Sequence, residues 1–226
     1  MSVVKVYYWP FLVRGASLVR MLEHTGTPYE YISDKAEMAK LCSTWGGTGT
    51  TFAPPVVVDG DYVVSQSTAT CLYLGKKLGL VPKGYDEYKA FQFCCDIVDT
   101  FEGGLGKNNE QGAALKAYLE GPRWPAQMGN IERSIVGPYY FGEEPSAVDF
   151  FLLQHLDWRS NSMIIPLKER FGLDLLAKYP KIAGVQAALQ AADGYKNYGE
   201  SKYSKLKTPG PIKDEILNIF AAQGIA

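Results

Sequence analysis

The chain has 226 residues, of which 46% are hydrophobic, and its 23 basic and 24 acidic side chains give a formal net charge of -1. This length suits one large domain or two modest ones with a buried core, and the balanced, dispersed charge excludes a nucleic-acid binder of the usual basic kind. No apolar stretch approaches the roughly 18 residues that a membrane span needs. We therefore expect neither nucleic acid nor a membrane as a partner.

Cysteine and histidine usage argues against a redox or metal centre. None of the four cysteines has CxxC spacing, so we expect them to be reduced thiols. Reduced thiols are typical of an intracellular protein, and we expect a cytoplasmic location. The two histidines lack a cysteine or carboxylate at metal-ligand spacing, so no metal is expected. The residues concerned are Cys42, Cys71, Cys94, Cys95, His24 and His155.

The chain opens with alternating strand and helix patterns. A β-branched and aromatic run predicts a strand over residues 3–9, apolar positions at helical spacing predict a helix over 15–25, and 29–32 is a second candidate strand. Residues 33–51 are polar and rich in glycine, which predicts a short helix followed by a loop. A strand, helix, strand order implies a parallel pair with a right-handed crossover.

A hairpin and a helix follow. The proline pair Pro54-Pro55 precedes a β-branched strand, an Asp59-Gly60 turn reverses the chain, and Gln66-Ser67 opens a helix over 67–78. The residues do not decide whether the peptide before Pro55 is cis or trans. A cis peptide would fit a tight turn against a ligand. Backbone N–H groups at a helix start, with a hydroxyl beside them, suit a carboxylate or phosphate.

Beyond this unit the patterns indicate helices only. We place a first domain at 1–82, a linker at 83–87 and an all-helical domain at 88–226. The predicted helices are 86–102, 111–120, 125–135, 147–159, 165–171, 182–192 and 212–220. Before the run FFLLQHL, a capping box is expected in which the Ser146 oxygen accepts from the Asp149 amide and the Asp149 carboxylate accepts from the Ser146 amide. We assign these two residues to folding.

Three aromatic residues end the first strand. A phenol at such an edge can donate one hydrogen bond into a site while its ring stays packed, although plain core aromatics are the alternative. The candidates are Tyr7 and Tyr8, which Trp9 follows.

In order and in motifs, the chain resembles the cytosolic glutathione transferase family along essentially its whole length. The blocks that carry the resemblance are VYYWP with VRGASLVRML, then APPVVVDGDYVVSQSTATCLYL, then YYFGEEPSAVDFFLL with KYPKIAGV. The resemblance implies a thioredoxin-like N-terminal domain of βαβ-ββα order that binds glutathione, followed by an all-helical domain that forms most of the electrophile pocket. It also implies a homodimer, to which the aromatic segment around Phe91 and Phe93 would contribute.

The resemblance also implies roles for single residues. Tyr8, or alternatively Tyr7, looks like the catalytic tyrosine of the tyrosine-type (mu-, pi- and sigma-like) classes, whose hydroxyl favours the thiolate of glutathione. Glutathione would be the co-substrate, without a metal. The glutathione-binding positions would be Pro54, Pro55 (as the cis-proline), Gln66, Ser67, Arg14, Lys40, Trp45 and, from the partner subunit, Asp99; the electrophile pocket would use Trp9, Phe11 and Leu12, with Ile219 and Phe220 as further candidates.

One position departs from the family pattern. The residue before the cis-proline normally bonds the cysteinyl backbone of glutathione through both its amide and its carbonyl, but Pro54 has no N–H. The expected function is conjugation of glutathione to small hydrophobic electrophiles, as in detoxification. A non-catalytic binding or structural protein on the same fold and a glutathione-dependent isomerase remain the alternatives, since a fold does not fix a function.

Overall fold

A four-stranded mixed sheet forms the N-terminal part of the chain. The computed structural model describes residues 3–47, 49–102, 112–159, 163–206, 217–218 and 221–222. The strands are β1 (Val4–Tyr7), β2 (Tyr29–Ile32), β3 (Val56–Asp59) and β4 (Tyr62–Ser65), in the spatial order β2-β1-β3-β4. β1 runs parallel to β2, whereas β3 is antiparallel to both β1 and β4. Valine and tyrosine dominate these strands because β-branched and aromatic side chains pack well on a pleated surface.

Three helices accompany the sheet: α1 (Ala16–Thr25), α2 (Lys35–Leu41) and α3 (Ser67–Lys77). Gly26 ends α1 with a φ of 63°, the left-handed conformation that glycine adopts without steric cost. The Asp34 carboxylate begins α2 by accepting the amide of Glu37 at 2.9 Å. The predicted βαβ-ββα order is confirmed, and the segment 33–51 contains α2 and a 3₁₀ turn at Ser43–Trp45.

The rest of the described chain is helical, as predicted. The helices are α4 (Glu87–Glu102), α5 (Gly112–Glu120), α6 (Arg123–Ser134), α7 (Ala147–Arg159), α8 (Ile165–Phe171), α9 (Pro180–Ala191) and α10 (Asp193–Glu200). α7 packs against α1, α3, α4 and α9, and its fully buried Phe151 lies in one core that also contains Val4 of β1 and Leu74 of α3. Within the described ranges, every helix is too short or too polar to cross a membrane.

The start of α7 is held by a buried aspartate. One carboxylate oxygen of Asp149 accepts the amide of Ser146 at 2.8 Å, as in the predicted capping box, and the other accepts the amide of Tyr140 at 2.8 Å. The second half of the box differs from the prediction, because the Ser146 hydroxyl donates to the carboxylate at 2.6 Å and the Asp149 amide bonds the main-chain oxygen of Ser146. Burial raises the pKa of Asp149 to about 6, although these hydrogen bonds act in the opposite direction.

The sequence patterns missed one helix near the C-terminus. α10 packs against α1, where the Arg20 guanidinium lies 4.5 Å from the centre of the Tyr198 ring. A 3₁₀ helix at Lys202–Lys205 follows it. The predicted helix over 212–220 lies mostly outside the described residues, as do Ile219 and Phe220, while 217–218 and 221–222 are helical.

Candidate active site at the edge of the sheet

The candidate residues gather at one edge of the sheet. Tyr7 of β1 is paired with Val56 of β3, which is in turn paired with Ser65 of β4. The end of β1, the start of β3 and the end of β4 therefore lie side by side. Tyr8, the Pro54-Pro55 peptide and the Gln66-Ser67 corner extend from these three ends.

Tyr8 is buried beside the start of α1. Its amide donates to the carbonyl of Ile32 at 3.1 Å, and only 4% of the residue is exposed. The amide of Arg14 donates to the Tyr8 hydroxyl oxygen at 3.0 Å, which leaves the hydroxyl hydrogen for a ligand. Desolvation raises the pKa of Tyr8, partly offset by the Arg14 amide and charge, so this phenol is a neutral donor at physiological pH.

Gly15 makes room for the Tyr8 ring, and sequence reasoning did not single it out. A Cβ atom at Gly15 would lie 2.7 Å from Cδ1 and 2.8 Å from Cγ of Tyr8. The backbone of Gly15 is in the ordinary right-handed region (φ -95°, ψ -6°), so glycine is required here by contact and not by conformation. The only sequence signal is a glycine directly before the predicted helix.

Tyr7 has different surroundings from Tyr8. It is the last residue of β1 and is half-buried, whereas Tyr8, directly after the strand, is buried. The Tyr7 phenol lies close enough to Lys40 to raise the pKa of that ammonium slightly, after the larger effect of Glu37. Of the two tyrosines, only Tyr8 has its hydroxyl at the start of α1.

The Gln66-Ser67 corner has an unusual backbone. Gln66 has φ 75° and ψ 130°, the only positive φ of a non-glycine residue in the described chain. Such a conformation costs about 1–3 kcal/mol and persists where the surroundings hold it, often at ligand sites. The Gln66 carbonyl accepts the amide of Thr70 at 2.8 Å as the first bond of α3. The first amides of the helix, from Ser67 onward, then face outward as donors for an anion.

Aromatic side chains lie next to Tyr8. The Trp9 and Phe11 rings are parallel, with centres 6.3 Å apart, and the Trp45 ring meets Trp9 edge-on at 5.2 Å. Phe11 is 37% exposed. Leu12 is not part of this group, because it packs into a buried cluster with Val19 and Tyr198. The rings of Trp9, Phe11 and Trp45 form an apolar surface at the sheet edge, which we call the aromatic wall.

Comparison with solved structures identifies the architecture. The structure of prostaglandin synthase D of Nilaparvata lugens is 20% identical with a TM-score of 0.64, covering 89% of this chain and 98% of that one. The Pi-class glutathione S-transferase of Onchocerca volvulus is 18% identical with a TM-score of 0.68, covering 92% and 98%. The chain has the glutathione S-transferase fold. No protein-family model and no curated protein matches the sequence.

The remaining candidates occupy different places on this glutathione S-transferase fold. The peptide between Pro54 and Pro55 is cis. Lys40 is exposed and forms an ion pair with Glu37 at 2.5 Å. Arg14 is exposed and directs its amide to Tyr8, whereas Asp99 is exposed on α4. The structure thus brings Tyr8, Trp9, Pro54, Pro55, Gln66 and Ser67 to one edge of the sheet, with Trp45 against Trp9.

Proposed function

We propose that the chain is a glutathione transferase that joins the thiolate of glutathione to small hydrophobic electrophiles. The observation that carries this proposal is the Tyr8 hydroxyl, which is buried, neutral and bonded on its acceptor side by the Arg14 amide. A donor so placed is free to bind a sulfur anion. The glutathione S-transferase fold supports the same reading.

The energetics suit this role. A free thiol has a pKa near 8.5 and is mostly protonated at neutral pH, and each unit of depression corresponds to about 1.4 kcal/mol of preferential thiolate binding. A hydrogen bond to a charged group contributes about 1.5–3 kcal/mol. The Tyr8 hydroxyl alone can therefore lower the thiol pKa by about one to two units. The thiol proton leaves to solvent, sulfur forms a bond to the electrophilic carbon, and the leaving group departs with the bonding electron pair.

The ligand would lie along the sheet edge. Its γ-glutamyl carboxylate would bind at Gln66 and Ser67, where the amides of α3 and the helix dipole favour an anion. Its cysteinyl backbone would lie at Pro54 and the cis Pro55, with only a carbonyl from Pro54. Arg14, Lys40 and Trp45 are the candidates for binding the glycyl end. Trp9 and Phe11 of the aromatic wall are the candidates for contact with the electrophile.

Glutathione titration followed by Trp fluorescence tests this placement, because Trp9 follows Tyr8 directly and its ring contacts that of Trp45. Ser67→Ala removes one hydroxyl at the anion site and should weaken binding about tenfold, near the worth of one hydrogen bond to a charge. Thr68→Ala, one residue further along α3, is the matched control and should bind like the wild type. Equal affinity in both variants would remove Ser67 from the site.

A dimer face is proposed on α4. Tyr88, Phe91, Cys95 and Asp99 follow helical spacing on one side of the helix, with Tyr88 87% and Phe91 53% exposed. Phe93, grouped with Phe91 on sequence grounds, instead packs inward with its ring centre 5.0 Å from that of Tyr140. Sedimentation should show a dimer that Phe91→Glu dissociates, and a monomeric wild type would refute this proposal and the cross-subunit role of Asp99.

Two other functions have specific support. Similarity to a structure described as a prostaglandin synthase favours a glutathione-dependent isomerase, which would leave the glutathione concentration unchanged after turnover. Pro54, which offers no N–H, favours a non-catalytic binding protein. That protein would be retained on immobilised glutathione without consuming an aryl halide.

A further inference from the structure

The backbone at Tyr8 lies just beyond the end of the sheet and is held there by β2. β1 ends at Tyr7, so Tyr8 and Trp9 are outside the strand. The Tyr8 amide donates to the Ile32 carbonyl at 3.1 Å. The Tyr31 hydroxyl donates to the Trp9 carbonyl at 2.6 Å. The peptide between Tyr8 and Trp9 is therefore flanked by one main-chain and one side-chain bond from adjacent residues of β2.

Tyr31 is itself held firmly. Its ring lies 5.0 Å from the ring of Tyr203, which the 3₁₀ helix after α10 places against β2. Burial raises the pKa of Tyr31, and the nearby Tyr8 phenol contributes to the rise, so the hydroxyl keeps its hydrogen and acts as a donor. A short bond from a packed ring restricts the Trp9 carbonyl more than solvent would.

We propose that Tyr31 is a positioning residue for Tyr8: its bond to the Trp9 carbonyl fixes the backbone that directs the Tyr8 hydroxyl to the reacting sulfur. This inference rests on the proposed function. In this proposal Tyr31 acts only through Tyr8. A misplacement of about 1 Å at a reacting group costs on the order of a hundredfold in rate.

The chain offers a matched control in Tyr29. It lies two residues before Tyr31 on the same strand, its ring lies 5.3 Å from that of Tyr203, and its hydroxyl also donates at 2.6 Å. Its acceptor, however, is the Glu23 carboxylate of α1 and not the loop after β1. Tyr29→Phe and Tyr31→Phe therefore remove equivalent hydroxyls, and only the second removes a bond next to Tyr8.

The experiment measures kcat/KM for an aryl halide against pH in the full chain. Tyr31→Phe should lower kcat/KM about tenfold and raise the apparent pKa of bound glutathione, whereas Tyr29→Phe should change neither. In a Tyr8→Phe background, Tyr31→Phe should have no further effect, because the two residues act as one unit. Equal effects of the two single variants, or additive losses in the double variant, would overturn the proposal.

A second measurement separates this proposal from the proposed function. In crystal structures of the two variants, the Tyr8 hydroxyl should move away from the Arg14 amide in Tyr31→Phe and keep its 3.0 Å distance in Tyr29→Phe. An unmoved hydroxyl in Tyr31→Phe overturns the positioning role whatever the activity. If the wild type does not conjugate glutathione but the Tyr8 hydroxyl is displaced in Tyr31→Phe, the transferase function is refuted and the positioning role of Tyr31 is retained.

Discussion

Gly15→Ala is a one-carbon change that should disturb Tyr8 without touching its hydroxyl. The new Cβ would lie 2.7 Å from Tyr8 Cδ1, whereas ordinary contact begins at 3.4 Å. The backbone at Gly15 accepts alanine without strain because its φ is -95°. The ring of Tyr8 is buried, so it relieves the clash by moving together with its hydroxyl.

The size of the effect follows from this geometry. Overpacking of a well-packed core costs about 1–3 kcal/mol in the free energy of unfolding. A shift of several tenths of an ångström in the hydroxyl should weaken its bond to the thiolate, lowering kcat/KM by about ten- to a hundredfold. The apparent pKa of bound glutathione should rise with this loss.

Gly75→Ala provides the control for overpacking. A Cβ at Gly75 would lie 2.4 Å from the Cβ of Ala147, where α3 meets α7. Urea unfolding should show comparable losses of stability in both variants, but the pH–rate profile should move only in Gly15→Ala. If Gly15→Ala loses stability and retains the wild-type thiol pKa, the contact with Tyr8 has no part in catalysis.

Two further predictions concern buried and half-buried charged side chains. Burial raises the pKa of Asp149 to about 6, above the unfolded value of about 3.9, so its contribution to stability is complete below pH 4 and is lost as pH rises through 6. Relative to Asp149→Asn, the wild type should lose about 2 kcal/mol in the free energy of unfolding between pH 4 and pH 7; a constant difference in urea titrations would contradict the shift. Arg20 forms an ion pair with Asp157, and their side chains are 8% and 21% exposed. Arg20→Met should cost about 3 kcal/mol, because it leaves that carboxylate without a cationic partner and removes the guanidinium from the Tyr198 ring. Arg20→Met/Asp157→Leu should recover part of this loss, and equal stability of the single and double variants would refute the pairing.

Local sequence patterns predicted the elements whose signals are local. β2 and α7 have the predicted bounds, because β-branched and aromatic residues mark the one and a cap followed by an apolar run marks the other. α10 was missed because Gly194 and Gly199, together with Asp193 and Asn197, give its segment a weak helical propensity. It is stabilised by tertiary packing instead, with Tyr198 under the guanidinium of Arg20.

The residues of the candidate site also fall into those that the sequence could indicate and those that depend on contacts in the folded chain. Tyr8 and the Gln66-Ser67 corner could be named as candidates because a strand end and a helix start are readable in the sequence and the family resemblance pointed to the same residues. Gly15 and Tyr31 could not, since their contacts with Tyr8 and Trp9 exist only in the folded chain. Leu12 was assigned to the electrophile pocket by its neighbours in sequence, but its side chain is buried with Val19 and Tyr198.

The pH dependence of kcat/KM in Tyr8→Phe tests the transferase proposal most directly. The pKa of Tyr8 lies above its ordinary value of 10, so between roughly pH 6 and 9 the profile reports the thiol and not the phenol. The wild type should show a thiol pKa about one to two units below 8.5, Tyr8→Phe should return it towards 8.5, and Tyr7→Phe should leave it unchanged. A Tyr8→Phe variant with the wild-type thiol pKa would contradict the account.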